Sequence, residues 1–323
     1  MATGDIHIHQ YSLRSRSELN AASARTEHPG VLLRLDCDGG YGYGCIHPWP
    51  ELGDDELEQT LSRLADGEHT ALASRALECA RLDACARREK VSLFADLVIP
   101  RSHATLLLNG DDFQAAVDAG FDIVKVKLGR DPDAELAFIR EQAGRFPGLR
   151  WRLDFNGVLE AAEVERFVAA LGEEVRTRID FLEDAYLLGS TPWVGARGPF
   201  DIPMAVDREV AEVFGGFAVA VIKPATLLAR PILRRAHKEG KRVVFTSYMD
   251  HPLGQCFAAW EAGRALGSFP GMVDTCGLVT HGLFESNEFA GLLGPPGPEF
   301  HPPAGTGLGF DALLESLAWE PLA

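Results

Sequence analysis

Apolar and polar positions alternate through most of the hydrophobic runs of this chain, and the clearest case is IVKVKLG, Ile123 to Gly129. With a period of two, Ile123, Lys125 and Lys127 share one face of a strand while Val124, Val126 and Leu128 share the other. One face is wholly apolar; the other ends in two cations. Taken alone, this pattern describes a half-exposed edge strand on which lysines discourage aggregation. The strands that follow change that reading.

Beyond residue 95 strands and helices alternate. TLLLNG leads into the helical DDFQAAVDAG, IVKVKLG into a helix over 133–146, and LRWRLDFNG into one over 160–171. IDFLEDA and IPMAVDRE come next; AVAVIKPA then precedes a helix over 227–239, RVVFTSY one over about 252–265, and GMVDTCGL closes the series. Eight apolar strands at steps of roughly 20 to 30 residues predict a (β/α) barrel rather than an open doubly wound sheet. No GxGxxG follows the first of them, which argues against dinucleotide binding.

The chain before residue 95 has a different pattern. DIHIHQYSLRSR and VLLRLDCD alternate as strands, GGYGYG is a glycine-punctuated turn, and 54–88 is helical, with Leu57, Leu61 and Leu64, then Ala76, Leu77 and Ala80, at steps of three and four. This is an α+β module. His7 and His9 share one strand face as surface or packing residues rather than ligands. From about Phe284 the Gly- and Pro-rich sequence is expected to be irregular and to pack back onto the N-terminal module.

Composition narrows the function. The net charge of −16 argues against nucleic acid as a partner but leaves room for a small anionic substrate held by a few local cations. Six cysteines without CxxC spacing are expected to be reduced, buried thiols. No apolar leader or membrane-length run is visible, so a soluble, cytoplasmic protein is expected.

Candidate chemistry lies at the strand ends, where barrel enzymes keep their active sites. Arg152, Asp154 and Asn156 share one face of LRWRLDFNG, Glu183 ends the face of IDFLEDA, Asp207 that of IPMAVDRE, and Lys223 that of AVAVIKPA. Any one of these acids could cap a following helix. Three carboxylates converging from adjacent strands, however, cannot stay ionised together without a cation. All-oxygen donors favour Mg²⁺ or Mn²⁺. A lysine crowded by other cations has a depressed pKa and can accept a proton, and Lys127, with Lys125 beside it, is so placed.

The order K-x-K, D-x-N, E, D, K at successive strand ends resembles the enolase superfamily in its muconate-lactonizing-enzyme subgroup. Within it, VKVKLG, LDFNG, FLEDA, AVDRE and VIKPA most resemble the o-succinylbenzoate synthases. The resemblance implies a (β/α)7β-type modified TIM barrel with an α+β N-terminal capping domain, divided as 1–95 (cap), 96–283 (barrel) and 284–323 (a segment packing back on the cap). It implies Mg²⁺, with Mn²⁺ as a substitute, on Asp154, Glu183 and Asp207. Lys127 would be the general base, Lys223 would stabilise an enediolate, and Lys125 would tune Lys127. Asn156, Ser247 and Asp250 would contact substrate. The implied reaction is dehydration of 2-succinyl-6-hydroxy-2,4-cyclohexadiene-1-carboxylate to 2-succinylbenzoate, in menaquinone biosynthesis. A racemase of N-acyl (N-succinyl) amino acids or another lysine-pair racemase or cycloisomerase of the subgroup, or a binding protein with a relic site, are the alternatives.

Two positions depart from the family pattern: Asp250 stands where members often have Glu, and Cys45 lies near another such Glu. His251, before Pro252, is expected to start a helix. A capping loop within 13–24 is expected to close over substrate, and oligomeric state is left open.

Overall fold

The computed structural model of the chain describes residues 5–19, 23–37, 40–186, 198–212 and 215–322. Strands β1 (Ile6–Arg14), β2 (Glu27–Cys37) and β3 (Gly40–Ile46) form an antiparallel sheet, followed by helices α1 (Leu57–Ala65) and α2 (Ala71–Arg88). GGYGYG, expected as a turn, is therefore mostly strand. Its glycines serve the packing of α2: a Cβ at Gly42 would sit 2.1 Å from the carbonyl oxygen of Ala80, and one at Gly44 2.2 Å from that of Ala76. Any side chain there would lever the helix off the sheet.

The second sheet is parallel and runs in chain order: β4 (Ala104–Leu106), β5 (Ile123–Lys127), β6 (Arg150–Asp154), β7 (Ile179–Glu183), β8 (Met204–Val206), β9 (Val219–Ile222) and β10 (Arg242–Phe245). GMVDTCGL, expected as an eighth strand, makes only isolated parallel bridges. Val273 and Gly277 bridge to Val243 and Thr246 of the last strand's side, while Cys276 bridges to Ser102 beside the first. Those bridges still close the barrel, with the His103 amide donating to Cys276 at 2.7 Å and the Ser247 amide to Gly277 at 2.9 Å.

Outside run α3 (Gly110–Asp118), α4 (Pro132–Arg145), α5 (Ala161–Ala170), α6 (Glu173–Arg176), α7 (Ala229–Glu239) and α8 (Pro252–Ser268). Their starts are written locally: Asp131 and His251 accept from the amides of Ala134 and Leu253, each followed by a proline that suits the first turn. The C-terminal stretch is less irregular than expected. It holds α9 (Glu288–Leu293), capped by Asn287, then α10 (Asp311–Ser316) and β11 (Glu320–Pro321), which pairs antiparallel with β1. His7 and His9 meet that segment, His9 through a 2.9 Å hydrogen bond to the carbonyl of Ala318.

IVKVKLG is no edge strand, since β5 lies between β4 and β6. Trp151, Leu153 and Phe155 pack in the large core with the helices, whereas Phe181, Ala205, Val219, Val221 and Val244 form a small separate cluster. At the start of the strands lies an ion network. The β6–β7 pairing passes over Asp180, whose buried carboxylate accepts from Arg152 at 2.8 Å, Arg150 at 2.6 Å and Arg242 at 3.0 Å. Among the described residues no disulfide forms; Cys79, Cys256 and Cys276 are buried as expected, Cys37 and Cys45 are half-buried, and Cys85 is exposed. Among the described residues no helix is long and apolar enough to cross a membrane.

Candidate active site

The strand ends bring together most of the residues singled out above. Lys127 is opposite Asp154, and Asp154 opposite Glu183, in the strand register. Lys125, Lys127, Asp154, Asn156, Asp207 and Lys223 line one cavity of about 210 Å³, as do Thr246 and Ser247. Several local devices hold these ends. After Lys127 the chain turns at Gly129, φ 108°, where a Cβ would strike Val158 at 2.3 Å, and the amides of Gly129 and Arg130 donate to Glu135 at 2.9 Å. Asp184, in a left-handed conformation at φ 41°, accepts from the amides of Asp207 at 3.1 Å and Arg208 at 3.2 Å.

The charges are unevenly matched. Lys125 stands between Asp154 at 3.0 Å and Glu183 at 2.6 Å, and Lys223 pairs with Asp207. Burial would lower the Lys125 amine, but Asp154, Glu183 and Asp207 together lift it above its ordinary value. Lys223 is likewise lowered by burial and raised by more through Asp207. Lys127 goes the other way, pushed down to about 8. Burial is the largest cause, Asp154 opposes it, and Lys125 and Lys223 add to it. Lys125 thus contributes to the low value of Lys127, but desolvation contributes more. Glu183 is pushed up to about 7, by burial first and then by Asp154 and Asp207, against the pull of Lys125.

Among the described residues no three acidic, histidine or cysteine side chains converge as a ligand set. Lysine ammonium groups stand among the carboxylates instead, and Glu183 lies behind Lys125, off the cavity wall.

The expected substrate contacts divide. Asn156 lines the cavity, its side-chain nitrogen buried without a partner, and Ser247 lines it with its hydroxyl 2.7 Å from that of Thr280. Asp250, expected as a substrate contact, does not reach the cavity. Beyond Met249, at φ 51°, its carboxyl packs where a Cβ on Gly254 would meet it at 2.1 Å, and burial pushes it up to about 7. Cys45 belongs to the seam between cap and barrel. Its sulfur is 3.2 Å from the Tyr11 hydroxyl, which also bonds His47 at 3.0 Å, while the Tyr11 ring lies 4.7 Å from that of His251.

Of the capping loop, Arg16, Ser17, Glu18 and Leu19 line a larger cavity of about 950 Å³ that also borders Lys127; residues 20–22 of that expectation lie outside the described residues. Sequence reasoning missed Asp184, Tyr248 and Met249 altogether. It gave Arg152 no role although Arg152 shares the period-two face of Asp154.

Known proteins share this architecture. The L-Ala-D/L-Glu epimerase from Bacillus subtilis superposes with a TM-score of 0.79 at 17% identity, covering 96% of this chain and 98% of that one. Muconate lactonizing enzyme from Pseudomonas fluorescens gives 0.72 at 18%, covering 99% and 98%. At such identities the likeness shows the fold alone. In sequence, residues 6–86 match the family described as O-succinylbenzoate synthase, N-terminal domain. The o-succinylbenzoate synthase of Bdellovibrio bacteriovorus is 36% identical over 324 residues, covering 97% of both chains. The capped barrel is the fold of these enzymes, and the 36% identity places the chain, with that relative, in the enolase superfamily. Within it the chain belongs to the o-succinylbenzoate synthase family, whose members are lyases.

Proposed function

We propose that this chain dehydrates 2-succinyl-6-hydroxy-2,4-cyclohexadiene-1-carboxylate to 2-succinylbenzoate, a step of menaquinone biosynthesis, with Mg²⁺, or Mn²⁺ in its place, at Asp154, Glu183 and Asp207. The observation that carries this reading is the pairing of Lys127, pushed down to about 8, with Lys223 on the wall of one cavity shared with Asp154 and Asp207. Lys127 ends β5 and Lys223 follows β9, strands well separated in the sheet order, so a substrate between them is flanked on two sides.

The acidic residues fit a hard cation. All the donors are oxygens, and Asp154 and Asp207 add to burial in pushing Glu183 up, a repulsion that a bound cation would relieve. When bound, the cation supplies positive charge beside the substrate carboxylate, lowering the cost of the anion that forms on deprotonation. The remaining work falls to side chains. Neutral Lys127 takes the ring proton next to the carboxylate, and the Lys223 ammonium faces the enediolate so formed. Lys127 then returns its proton to the 6-hydroxyl. That group leaves as water with the electrons of its C–O bond, the C–H electrons enter the ring, and the ring becomes aromatic. Asn156 and Ser247 orient the substrate from the wall.

A second reading, racemisation of N-succinyl amino acids, is favoured by one observation: Lys223 lines the cavity as Lys127 does and could serve as a base on the other face. The net charge of −16 argues against nucleic acid and leaves room for a small anionic substrate, and six cysteines outside any disulfide support a reducing, cytoplasmic setting.

The test is an assay of the dehydration substrate beside a panel of N-succinyl amino acids, with wild type and Lys127→Ala. Wild type dehydrates, and the variant loses about 10²- to 10⁴-fold in rate with an unchanged melting temperature. Racemisation without dehydration would reverse the two readings; near-normal turnover by the variant would remove Lys127 as base. Activity that persists in excess EDTA would exclude the cation.

A further inference from the structure

The two residues after Ser247 connect the capping domain to both lysines. Tyr248 and Met249 lie in the loop between β10 and α8, yet they pack in the apolar core of the cap with Trp49, Leu283 and Phe284. Two anchors hold them there. The indole nitrogen of Trp49 donates to the carbonyl of Tyr248 at 2.7 Å, and the Tyr248 hydroxyl donates to Asp54 Oδ2 at 2.9 Å. That same carboxylate oxygen accepts from the Trp49 amide at 2.8 Å, so both anchors come from one turn of the cap. Leu52, within that turn, lines the 210 Å³ cavity.

From this held position the side chains reach the lysines. The centroid of the Tyr248 ring is 5.6 Å from Lys223 Nζ, and Met249 Sδ is 3.7 Å from Lys127 Nζ. Met249 takes φ 51°, a conformation that a residue with a side chain keeps only when its surroundings demand it.

We propose that Tyr248 and Met249 form a strap by which the capping domain positions the two lysines, Tyr248 acting on Lys223 and Met249 on Lys127. The strap rests on the roles given to those lysines above. The two contacts suit the two roles. Lys223 has Asp207 as its ion-pair partner, and a cation held by that carboxylate would weaken the pair. The face of an aromatic ring then keeps the ammonium over the cavity without neutralising it. Lys127 needs a neighbour that leaves its lone pair free, and a thioether, a weak acceptor with no proton to give, is such a neighbour. The phenol of Tyr248 stays protonated, raised by burial and by Asp54, so it remains the donor to that carboxylate. Tyr248 and Met249 are positioning residues in this account.

The test combines kinetics with a readout that needs no turnover. Tyr248→Phe keeps the ring and breaks the bond to Asp54; Asp54→Ala breaks it from the other side. Each is expected to lower kcat about tenfold with KM within about twofold, and the double variant to be no worse than Asp54→Ala, which also removes the acceptor of the Trp49 amide. Met249→Leu is expected to lower kcat about threefold with KM likewise unchanged, because packing is kept and only the sulfur is lost. Additive losses in the double variant, or a rise in KM at constant kcat, would overturn the strap. In protein labelled with ¹³C-lysine, the ε-methylene resonance of Lys223 is expected to move on Tyr248→Leu, as the ring current disappears, and to stay near its place in Tyr248→Phe. A Lys223 signal indifferent to loss of the ring defeats the strap even where dehydration is normal. A ring-dependent Lys223 signal in a protein that does not dehydrate supports the strap and defeats the assigned reaction instead. Where Tyr248→Leu fails to fold, Tyr248→Phe and Asp54→Ala decide through the split between kcat and KM.

Discussion

Two clusters of acids and cations lie at opposite ends of the barrel strands, and two strands contribute to both. Arg152 and Asp154 are neighbours but one on β6, and Asp180 and Glu183 both belong to β7. At the start of the strands, Asp180 meets three guanidinium groups, and Arg242 also pairs with Asp274 at 2.6 Å. Burial would raise the Asp180 carboxyl, yet Arg152, Arg242 and Arg150 hold it below its ordinary value. Arginine does not exchange protons near neutral pH, so every charge there is settled. At the other end the cations are lysines, and burial leaves Lys127 low and Glu183 high. The difference separates structure from chemistry within one barrel: the guanidinium end fixes the strands, while the ammonium end holds groups that can exchange protons.

Removing the guanidinium end's acid should give the largest effect on stability. Asp180→Ala leaves Arg152, which is fully buried, without its carboxylate partner. Loss of one member of a buried pair costs about 3–5 kcal/mol. Urea unfolding is expected to show that loss, with kcat per folded molecule retained. A fall in kcat at unchanged stability would erase the distinction between the two ends.

A smaller effect should appear at the mouth. The folded pKa of Glu183 lies above its unfolded value, so between pH 4.5 and about 7 the folded chain binds more protons than the unfolded one. Its contribution to stability therefore falls as pH rises through that window. In EDTA, the urea midpoint of Glu183→Gln, measured against pH, should lose this part of the slope relative to wild type. Identical slopes would mean that Glu183 is as settled as Asp180. Asp180, lowered in the folded state, has the opposite sign: its contribution is complete above the ordinary carboxylate value and fades only in acid.

Much of the mouth was legible because barrel strands keep a strict period of two. Lys125, Lys127, Asp154, Asp207 and Lys223 fall on cavity-facing positions that simple alternation marks. Asp180 was not legible, because the pairing of β6 with β7 shifts at Trp151 and Arg152 and passes over it. The closing segment 273–277 has the composition of a strand but makes only isolated bridges, a matter of geometry between its neighbours rather than of propensity. The glycines of β3 mimic a turn, since nothing local says that a helix will press on them. Asp250 carried the family's acidic position, but the left-handed turn at Met249 sends it into the seam under the cap. Tyr248 and Met249 escaped notice because their partners, Trp49 and Asp54, lie some two hundred positions earlier.

The measurement that bears most directly on the unsettled mouth is the pH dependence of kcat/KM for dehydration by the wild-type enzyme. Lys127 accepts a proton only in its neutral form, and its pKa lies at about 8. The rate is expected to rise through a midpoint near that value and to level off above it. A profile flat across that range, or one falling through it, would contradict the account.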